Sequence, residues 1–231
     1  MIYTLTTNPA IDMNICTNGL AARKVNRTFD AVYTPNGKGL NVSFVLHHFG
    51  IESKIMGFFG GFSGSYIVDE SRKRGFDVIP VSVDDITRIN IFLNDGTTEY
   101  KLVNDGALVP REKQEEMLEI IRNAGDMTHL SISGSLPQGI EPSYYEELLE
   151  ICRERNIQII LDISSPKLRE LLRWHPLLIK PNDEELEKIF GIQVKTESDM
   201  IQALNFLHSE GAQNVLLTLG ERGAYFSNGD T

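Results

Sequence analysis

The residues able to do chemistry in this chain fall where its apolar runs end. "NGKG" (36–39) stands directly before the apolar run 40–49. Glycine admits positive φ and lets a ligand approach the main chain, and a helix N-terminus offers free N–H groups and a positive dipole end to an anion. Five cations, Lys24, Arg27, Lys38, Arg88 and Lys180, read as loop or short-strand residues rather than as parts of charged helix faces. Arg88 lies in the otherwise largely apolar "TRINIFL", where a guanidinium presents a planar fork matched to phosphate. A surface ion pair is its competing reading. Three carboxylates follow the same pattern: Asp12 in "TTNPAID", Asp162 in "IILDI" and Glu185 in "PNDEEL". Acids beside phosphate-binding cations suit magnesium or sugar hydroxyls, because hard oxygen ligands serve both. Taken singly, each reads equally well as an N-cap or an ion pair.

The elements that must position these residues can be read from periodicity. Leu40, Phe44, Val45 and Leu46 recur at helical spacing up to Gly50, which predicts a helix over 39–49. Strands are predicted at 2–6, 13–17, 28–33, 53–59, 77–83, 87–93 and 97–103. "GGFSG" (60–64) reads as a second glycine loop before a helix from Ser65 to Arg74. After Pro110 helices (111–124, 142–155, 167–173, 182–190, 197–210) alternate with strands (128–133, 157–163, 177–180, 214–220), the signature of βαβ units and a parallel sheet. "IQIILDI" is nearly continuous apolar, as a strand covered on both faces should be. Ligands of such sheets bind beyond the carboxyl ends of the strands, where the glycines, serines, prolines and charges of this chain collect. The short strands outside that rhythm read as a small antiparallel sheet, placed at about 13–33 and 87–103, that serves as a lid or a dimer surface.

Composition bounds the class. The 231 residues are 41% hydrophobic and 23% charged with a net charge of −10. That balance argues against wholesale nucleic-acid or membrane-surface binding, yet permits a local cationic cluster. Cys16 and Cys152 match no metal or redox spacing and read as free thiols of a reducing compartment. "MIYTLTTNPAID" lacks the basic and apolar regions of a signal peptide, and no apolar run approaches the ~20 residues of a membrane span. The expectation is a cytoplasmic α/β protein of one domain, 1–231.

Seven segments, in order, carry a resemblance: "YTLTTNPAID", "NGKGLNVSFVL", "GFFGGFSG", "TRINI", "SGSLPQG", "KPNDEEL" and "LLTLGERGAYF". Together they resemble the ribokinase-like (PfkB) sugar kinases, and within them the fructose-1-phosphate and tagatose-6-phosphate kinase branch. The resemblance implies a three-layer α/β/α sandwich with a mostly parallel sheet and a small β lid. It implies ATP-dependent phosphorylation of a sugar phosphate, fructose 1-phosphate first and tagatose 6-phosphate as the alternative, with ATP and Mg2+ as cofactors. Asp12 and Asn41 would bind sugar hydroxyls, with Gly37 and Lys38 lining the same site. Lys24 and Arg88 would meet the sugar's phosphate, and Ser135 would border the sugar. Lys180 would sit near the ATP phosphates. Asn182 and Glu185 would organise water-coordinated magnesium, with Asp162 a further candidate, and Thr218 and Gly220 would line the nucleotide.

Two departures leave the sugar open but not the reaction class: Asn36 stands where the family usually has a second glycine, and no lysine stands near Phe92. The family's general base is the aspartate of a "GAGD" motif. "NAGD" (123–126) matches in letters only and comes too early in the order, where it reads as a helix cap and turn. The base is therefore expected beyond Thr231, and residues 1–231 alone are expected to hold most of the sugar site and half of the ATP site without useful turnover. The lid strands, with Ile89, Ile91 and Leu93 alternating onto one face, predict a homodimer. A catalytically silent sugar-phosphate or nucleotide binder is the reading from another class. A Rossmann oxidoreductase is disfavoured because no G-x-G-x-x-G follows the first strand.

Overall fold

The computed structural model describes residues 1–230. In its first half the chain forms β1 (Ile2–Thr6), β2 (Ala10–Thr17), β3 (Thr28–Asn36), α1 (Lys38–His48), β4 (Ser53–Gly60), α2 (Gly61–Lys73), β5 (Asp77–Val83), β6 (Arg88–Asn94) and β7 (Glu99–Leu102). Alternation then follows as predicted: α3 (Arg111–Asn123), β8 (His129–Ser133), α4 (Tyr144–Glu154), β9 (Gln158–Asp162), α5 (Leu168–Leu171) and β10 (Leu178–Ile179). The last elements are α6 (Asp183–Glu185), α7 (Glu197–Ser209), β11 (Val215–Thr218) and β12 (Ala224–Ser227).

Eight strands make one sheet in the order β12-β11-β10-β9-β8-β1-β4-β5, parallel throughout except for β12. Its two faces bury different sets, as period-2 side chains require. On one face Leu5, Met56, Leu130, Ile132, Leu161 and Leu217 pack with Met117 and Ile121 of α3, Leu148 of α4 and Leu207 of α7. On the other, Ile55, Phe59 and Val78 pack with Leu40 of α1 and Ile67 of α2. Helices on both faces complete the three layers. Toward β9, β10 and β11 this second face is thinner: Ile160, Leu178 and Leu216 are only half-buried.

The small sheet has the order β3-β2-β6-β7; its outer pairs are antiparallel and its central pair, β2 with β6, is parallel. Register opposes Ala10 to both Arg88 and Asn36, and Asp12 to both Asn90 and Thr34. Ile11, Met13 and Ile15 lie beside Ile89, Ile91 and Leu93 on the reverse face. Ile11 and Ile89 seat that face on the chain's own core. A slip of one residue would exchange the two faces, so the core contact at Ile11 also determines where Asp12 points.

Three predicted elements are corrected here. The strand expected at 13–17 begins at Ala10, so Asp12 lies within β2 and not in the loop after β1. The expected loop at 60–64 does not exist, because α2 begins at Gly61. A Cβ at Gly60 would stand 1.9 Å from the Asp85 carbonyl oxygen, and one at Gly64 would stand 2.8 Å from the Phe59 carbonyl carbon. Gly60 lets the end of β4 approach the backbone at and after the end of β5, and Gly64 lets α2 touch β4. The helix expected over 182–190 is α6 followed by a π turn, Leu186–Phe190, that ends at Gly191 with φ 73°.

Candidate active site

The glycine turn resolves into close packing. Gly37 has φ 154°, and a Cβ there would lie 2.5 Å from Thr6 Cγ2; a Cβ at Gly39 would lie 2.5 Å from Thr6 Oγ1. Both glycines thus bring α1 onto the end of β1. Thr6 Oγ1 accepts the Leu40 N–H at 3.0 Å and so caps a helix whose own N-cap residue has no side chain.

At this junction four polar side chains meet. Asp12 Oδ1 accepts from Asn90 Nδ2 at 2.9 Å, and Asp12 Oδ2 accepts from Asn36 Nδ2. Asn36 Oδ1 accepts the Gly37 N–H at 2.7 Å and Asn41 Nδ2 at 2.8 Å. Asp12, Gly37 and Asn41 are therefore brought together as the sequence predicted. Asn36, which connects them, was noted only as a departure from the family's second glycine, and Asn90, which adds to Asp12, was not singled out. Alternation in "TRINI" puts Asn90 on the same face as Arg88 and could have found it.

Beside this cluster the carboxyl ends of β9 and β10 deliver Asp162 and Lys180. Asp162, 8% exposed, takes Lys38 Nζ at 3.0 Å and Lys180 Nζ at 3.3 Å on the same Oδ1. Two ammonium groups held by one carboxylate leave a local excess of positive charge in a chain of net charge −10. They stand at one end of a cleft of about 470 Å³ whose wall is Val42, Val45 and Leu46 of α1. Lys38, predicted on the sugar side, thus shares its counter-ion with Lys180, predicted on the nucleotide side.

Arg88 sits at the base of the small sheet. Its Nη2 donates to the Asn8 carbonyl at 3.1 Å and its Nη1 to the Asn104 carbonyl at 3.3 Å, while Nε is buried without a partner. Burial pulls the guanidinium below its ordinary pKa, against the neighbouring charges of Asp12 and Asp105; arginine remains protonated nonetheless. Asn8 Nδ2 reaches Ser135 Oγ at 3.3 Å, and Thr7 Oγ1 donates to the Ser135 carbonyl at 2.7 Å. Asn8 is thereby the link between Arg88 and Ser135, a role its position in "TTNPAID" did not reveal.

On the other side, Asn182 and Glu185 form a reciprocal capping box: Glu185 N–H to Asn182 Oδ1 at 2.7 Å, and Asn182 N–H to Glu185 Oε2 at 3.0 Å. Ser164 Oγ donates to Glu185 Oε1. Asn182 bridges to Thr218 across the strands, and the Thr218 N–H donates to the Pro181 carbonyl at 3.0 Å. Gly220 begins a 3-10 turn with φ 57°. The donor set bears on magnesium. Among the described residues no three His, Cys, Asp or Glu converge as an all-protein cage would need. Asp162 and Glu185 instead fit an ion that keeps its waters and rests on one or two carboxylates.

Lys24 is not brought to Arg88. It is exposed in the turn between β2 and β3, beyond Thr17, whereas Arg88 pairs with Ala10 at the opposite end of the hairpin. Seven residues of strand separate those levels, about 23 Å at ~3.3 Å each. "NAGD" also lies away from the cleft. Asp126 accepts from Tyr3 Oη at 2.6 Å and pairs with Lys54 at 3.1 Å near the amino ends of β1 and β4. These contacts, the Tyr3 hydroxyl foremost, hold its carboxyl below the usual range.

The chain as a whole resembles known proteins. The description "pfkB family carbohydrate kinase" matches residues 5–231. The D-tagatose-1-phosphate kinase of Klebsiella oxytoca is 48% identical over 230 residues, covering 100% of this chain and 76% of that protein. The 1-phosphofructokinase of Bacillus subtilis is 31% identical, covering 99% of this chain and 78% of that protein. Among solved structures, phosphofructokinase-2 from Escherichia coli in complex with potassium superposes with a TM-score of 0.92 at 26% identity, covering 100% of this chain and 76% of the other. Matched along nearly its whole length by the family and by relatives of this identity, the chain belongs to the pfkB family of carbohydrate kinases.

Proposed function

We propose that this protein binds a ketohexose 1-phosphate and ATP and transfers the γ-phosphoryl group to the sugar's free terminal hydroxyl. The hydroxyl oxygen forms a bond to the γ-phosphorus as the bond to the bridging oxygen breaks; ADP leaves, and the hydroxyl proton passes to a base. The observation that carries this reading is the Asp12–Asn36–Asn41–Asn90 cluster at the start of α1 beside the Lys38–Asp162–Lys180 group, with Asn41 of the first and all three of the second lining one cleft. The first group suits sugar hydroxyls. The second suits phosphate charge, which phosphoryl transfer must position and neutralise. Arg88 is assigned to the phosphate already on the sugar. Lys180, Thr218 and Gly220 are assigned to ATP, and Lys38 to the boundary between the two. Asp162 and Glu185 would hold hydrated magnesium, which when bound neutralises phosphate charge.

D-tagatose 1-phosphate is the first choice of substrate, supported by 48% and 42% identity to two D-tagatose-1-phosphate kinases. D-fructose 1-phosphate is the second, supported by 31% and 33% identity to two 1-phosphofructokinases. Calorimetric titration with both sugars tests the choice: tenfold tighter binding of D-fructose 1-phosphate would reverse it.

None of the three carboxylates at the cleft is assigned as the base. Asp12 and Asp162 each hold two donors, and Glu185 closes the capping box. Residues 1–231 are proposed to bind both substrates and to carry out this transfer slowly, without the roughly 10²–10⁴-fold that a general base supplies. A coupled assay of 1–231 turning over at the ~10 s⁻¹ usual for enzymes would overturn that part. Association through the small sheet into a homodimer completes the proposal. It is supported by the apolar face of β2 and β6, whose outer residues Ile91 and Leu93 are only half-buried.

A further inference from the structure

Three elements meet on one side chain of the cluster that the reading above assigns to sugar hydroxyls. Asn36 closes β3; through it run the ties from Asp12 on β2, from Gly37 in the turn and from Asn41 on α1. Two of these partners are chemically unambiguous. The Gly37 backbone N–H can only donate, and the Asp12 carboxylate can only accept. Together they decide which way the Asn36 amide faces, a choice that its shape alone would leave open. With Oδ1 toward Gly37, Asn36 then requires Asn41 to turn its NH2 inward, at 2.8 Å. Asn90 adds a second inward donor, Nδ2 to Asp12 Oδ1 at 2.9 Å. One N–H of each of these three amides is thus engaged within the cluster, while each NH2 keeps a second N–H and Asn90 Oδ1 is buried without a partner. Asn41 Oδ1 has no partner among the described residues, in a side chain that lines the cleft. Asp12 has one donor on each oxygen and spare lone pairs on both.

We infer that Asn36 is a positioning residue that sets the polarity of this pocket. By drawing Asn41 Nδ2 inward it turns Asn41 Oδ1 outward, beside the spare lone pairs of Asp12, so that a polyol is recognised at these two acceptors through its hydroxyl protons. The inference rests on the reading of the cluster as the sugar site, and it makes that reading more specific. A hydroxyl satisfies Asp12 and Asn41 as a donor. A ligand group of similar size that only accepts, such as fluorine in place of a hydroxyl, leaves them unpaired.

The test is calorimetric titration of the 1–231 protein with D-tagatose 1-phosphate, D-fructose 1-phosphate, their ring deoxyfluoro analogues and ADP. Wild-type protein is expected to bind at least one sugar phosphate and to lose affinity roughly tenfold or more for an analogue fluorinated at a contacted position. Asn36→Ala is expected to weaken the parent sugar phosphate by roughly ten- to a hundredfold and to shrink the penalty for fluorine. ADP affinity should stay within twofold. Asn36→Asp keeps the shape and the acceptor contacts but sets a carboxylate oxygen against Asp12, so it should bind the sugar no better than Asn36→Ala. A purely space-filling role would be preserved by that isosteric change. If the wild type binds a sugar phosphate and Asn36→Ala binds it equally, the inference alone is wrong. Wild-type protein that takes up neither sugar phosphate overturns the sugar reading, and the inference falls with it. Should Asn36→Ala not fold, the wild-type comparison decides: equal affinity for parent and every fluorinated analogue refutes it.

Discussion

Arg88 shows how one side chain can carry two loads. Its two terminal nitrogens clamp the carbonyls of Asn8 and Asn104, and Asn104 in turn donates to the Ile89 carbonyl at 2.9 Å. The guanidinium thus fastens the base of the small sheet and also brings charge to the proposed sugar phosphate. Arg88→Ala is expected to weaken ketohexose 1-phosphate by about 1.5–3 kcal/mol, the worth of a hydrogen bond to a charged group. ATP affinity should change less than twofold, and the thermal midpoint should fall because two carbonyls lose their donor. Sugar-phosphate affinity within twofold of wild type in calorimetry would remove Arg88 from the site. Asp85 works at the same scale. Its Oδ2 accepts the Leu108 N–H and its Oδ1 the Ile86 N–H, both at 2.8 Å, and these two bonds hold its carboxyl below the ordinary value of 3.8. A depressed pKa in the fold stabilises above the unfolded value and ceases to do so as pH falls through the folded one. Asp85→Asn should therefore have a lower thermal midpoint than wild type at pH 7. The gap should narrow as pH falls below about 4. A gap that stayed constant down to pH 2 would show that the ionised carboxylate contributes nothing.

Among the elements, the passage from β4 to α2 is the most constrained by packing. Gly60 has an ordinary extended backbone, φ −141° and ψ 151°, so conformational freedom does not explain it. Space does: Asp85 O at 1.9 Å and Val83 O at 2.6 Å would both meet a Cβ, and backbone atoms cannot swing aside. Gly60→Ala should cost about 3 kcal/mol, the upper part of the range for overpacking. Gly125 is the control, since a Cβ there meets nothing within 4 Å; Gly125→Ala should be neutral or slightly stabilising, by under ~1 kcal/mol. Urea unfolding followed by the single tryptophan measures both. Trp174 is suited to report, lying with Arg153 and Arg173 at 4.8 and 5.9 Å from its ring. Equal midpoints for the two variants would mean that the β4–α2 junction yields easily.

At the scale of the molecule, the two faces of the small sheet divide the labour. One carries Asp12, Asn90, Arg88 and Asn36. The reverse carries Ile11 and Ile89 against the core and then, farther out, Met13, Ile91 and Leu93, flanked by Tyr33 and Leu102 at 47% and 56% exposure. Contiguous apolar surface of this kind usually marks an interface. Sedimentation equilibrium at micromolar concentration is expected to show a dimer of the 26.0 kDa chain. Ile91→Asp, a charge at the centre of that face, should dissociate it and leave the thermal midpoint of the main sheet nearly unchanged. A wild-type monomer would end the proposal, as would an Ile91→Asp dimer of unchanged affinity.

The alternation of helix and strand after Pro110, the buried apolar strands and the polar residues at their carboxyl ends were legible in the sequence, because periodicity and chain punctuation are local. So was the pairing of Ile89, Ile91 and Leu93 on one face, since adjacent side chains of any strand point apart. What tertiary structure alone decided is everything that depends on which distant residues are brought opposite one another. Asp12 meets Asn36 across 24 positions and Asn90 across 78, through a register held by the core contact of Ile11; Lys38 meets Asp162 across 124, where two strand ends and a helix start converge. The resemblance assigns Lys24 and Arg88 to one phosphate, yet the length of the hairpin separates them. The glycines at 60 and 64 read as a loop, yet they are room for neighbouring backbone. Composition and spacing specify what a residue can do, but packing and strand register decide beside which partner it does it.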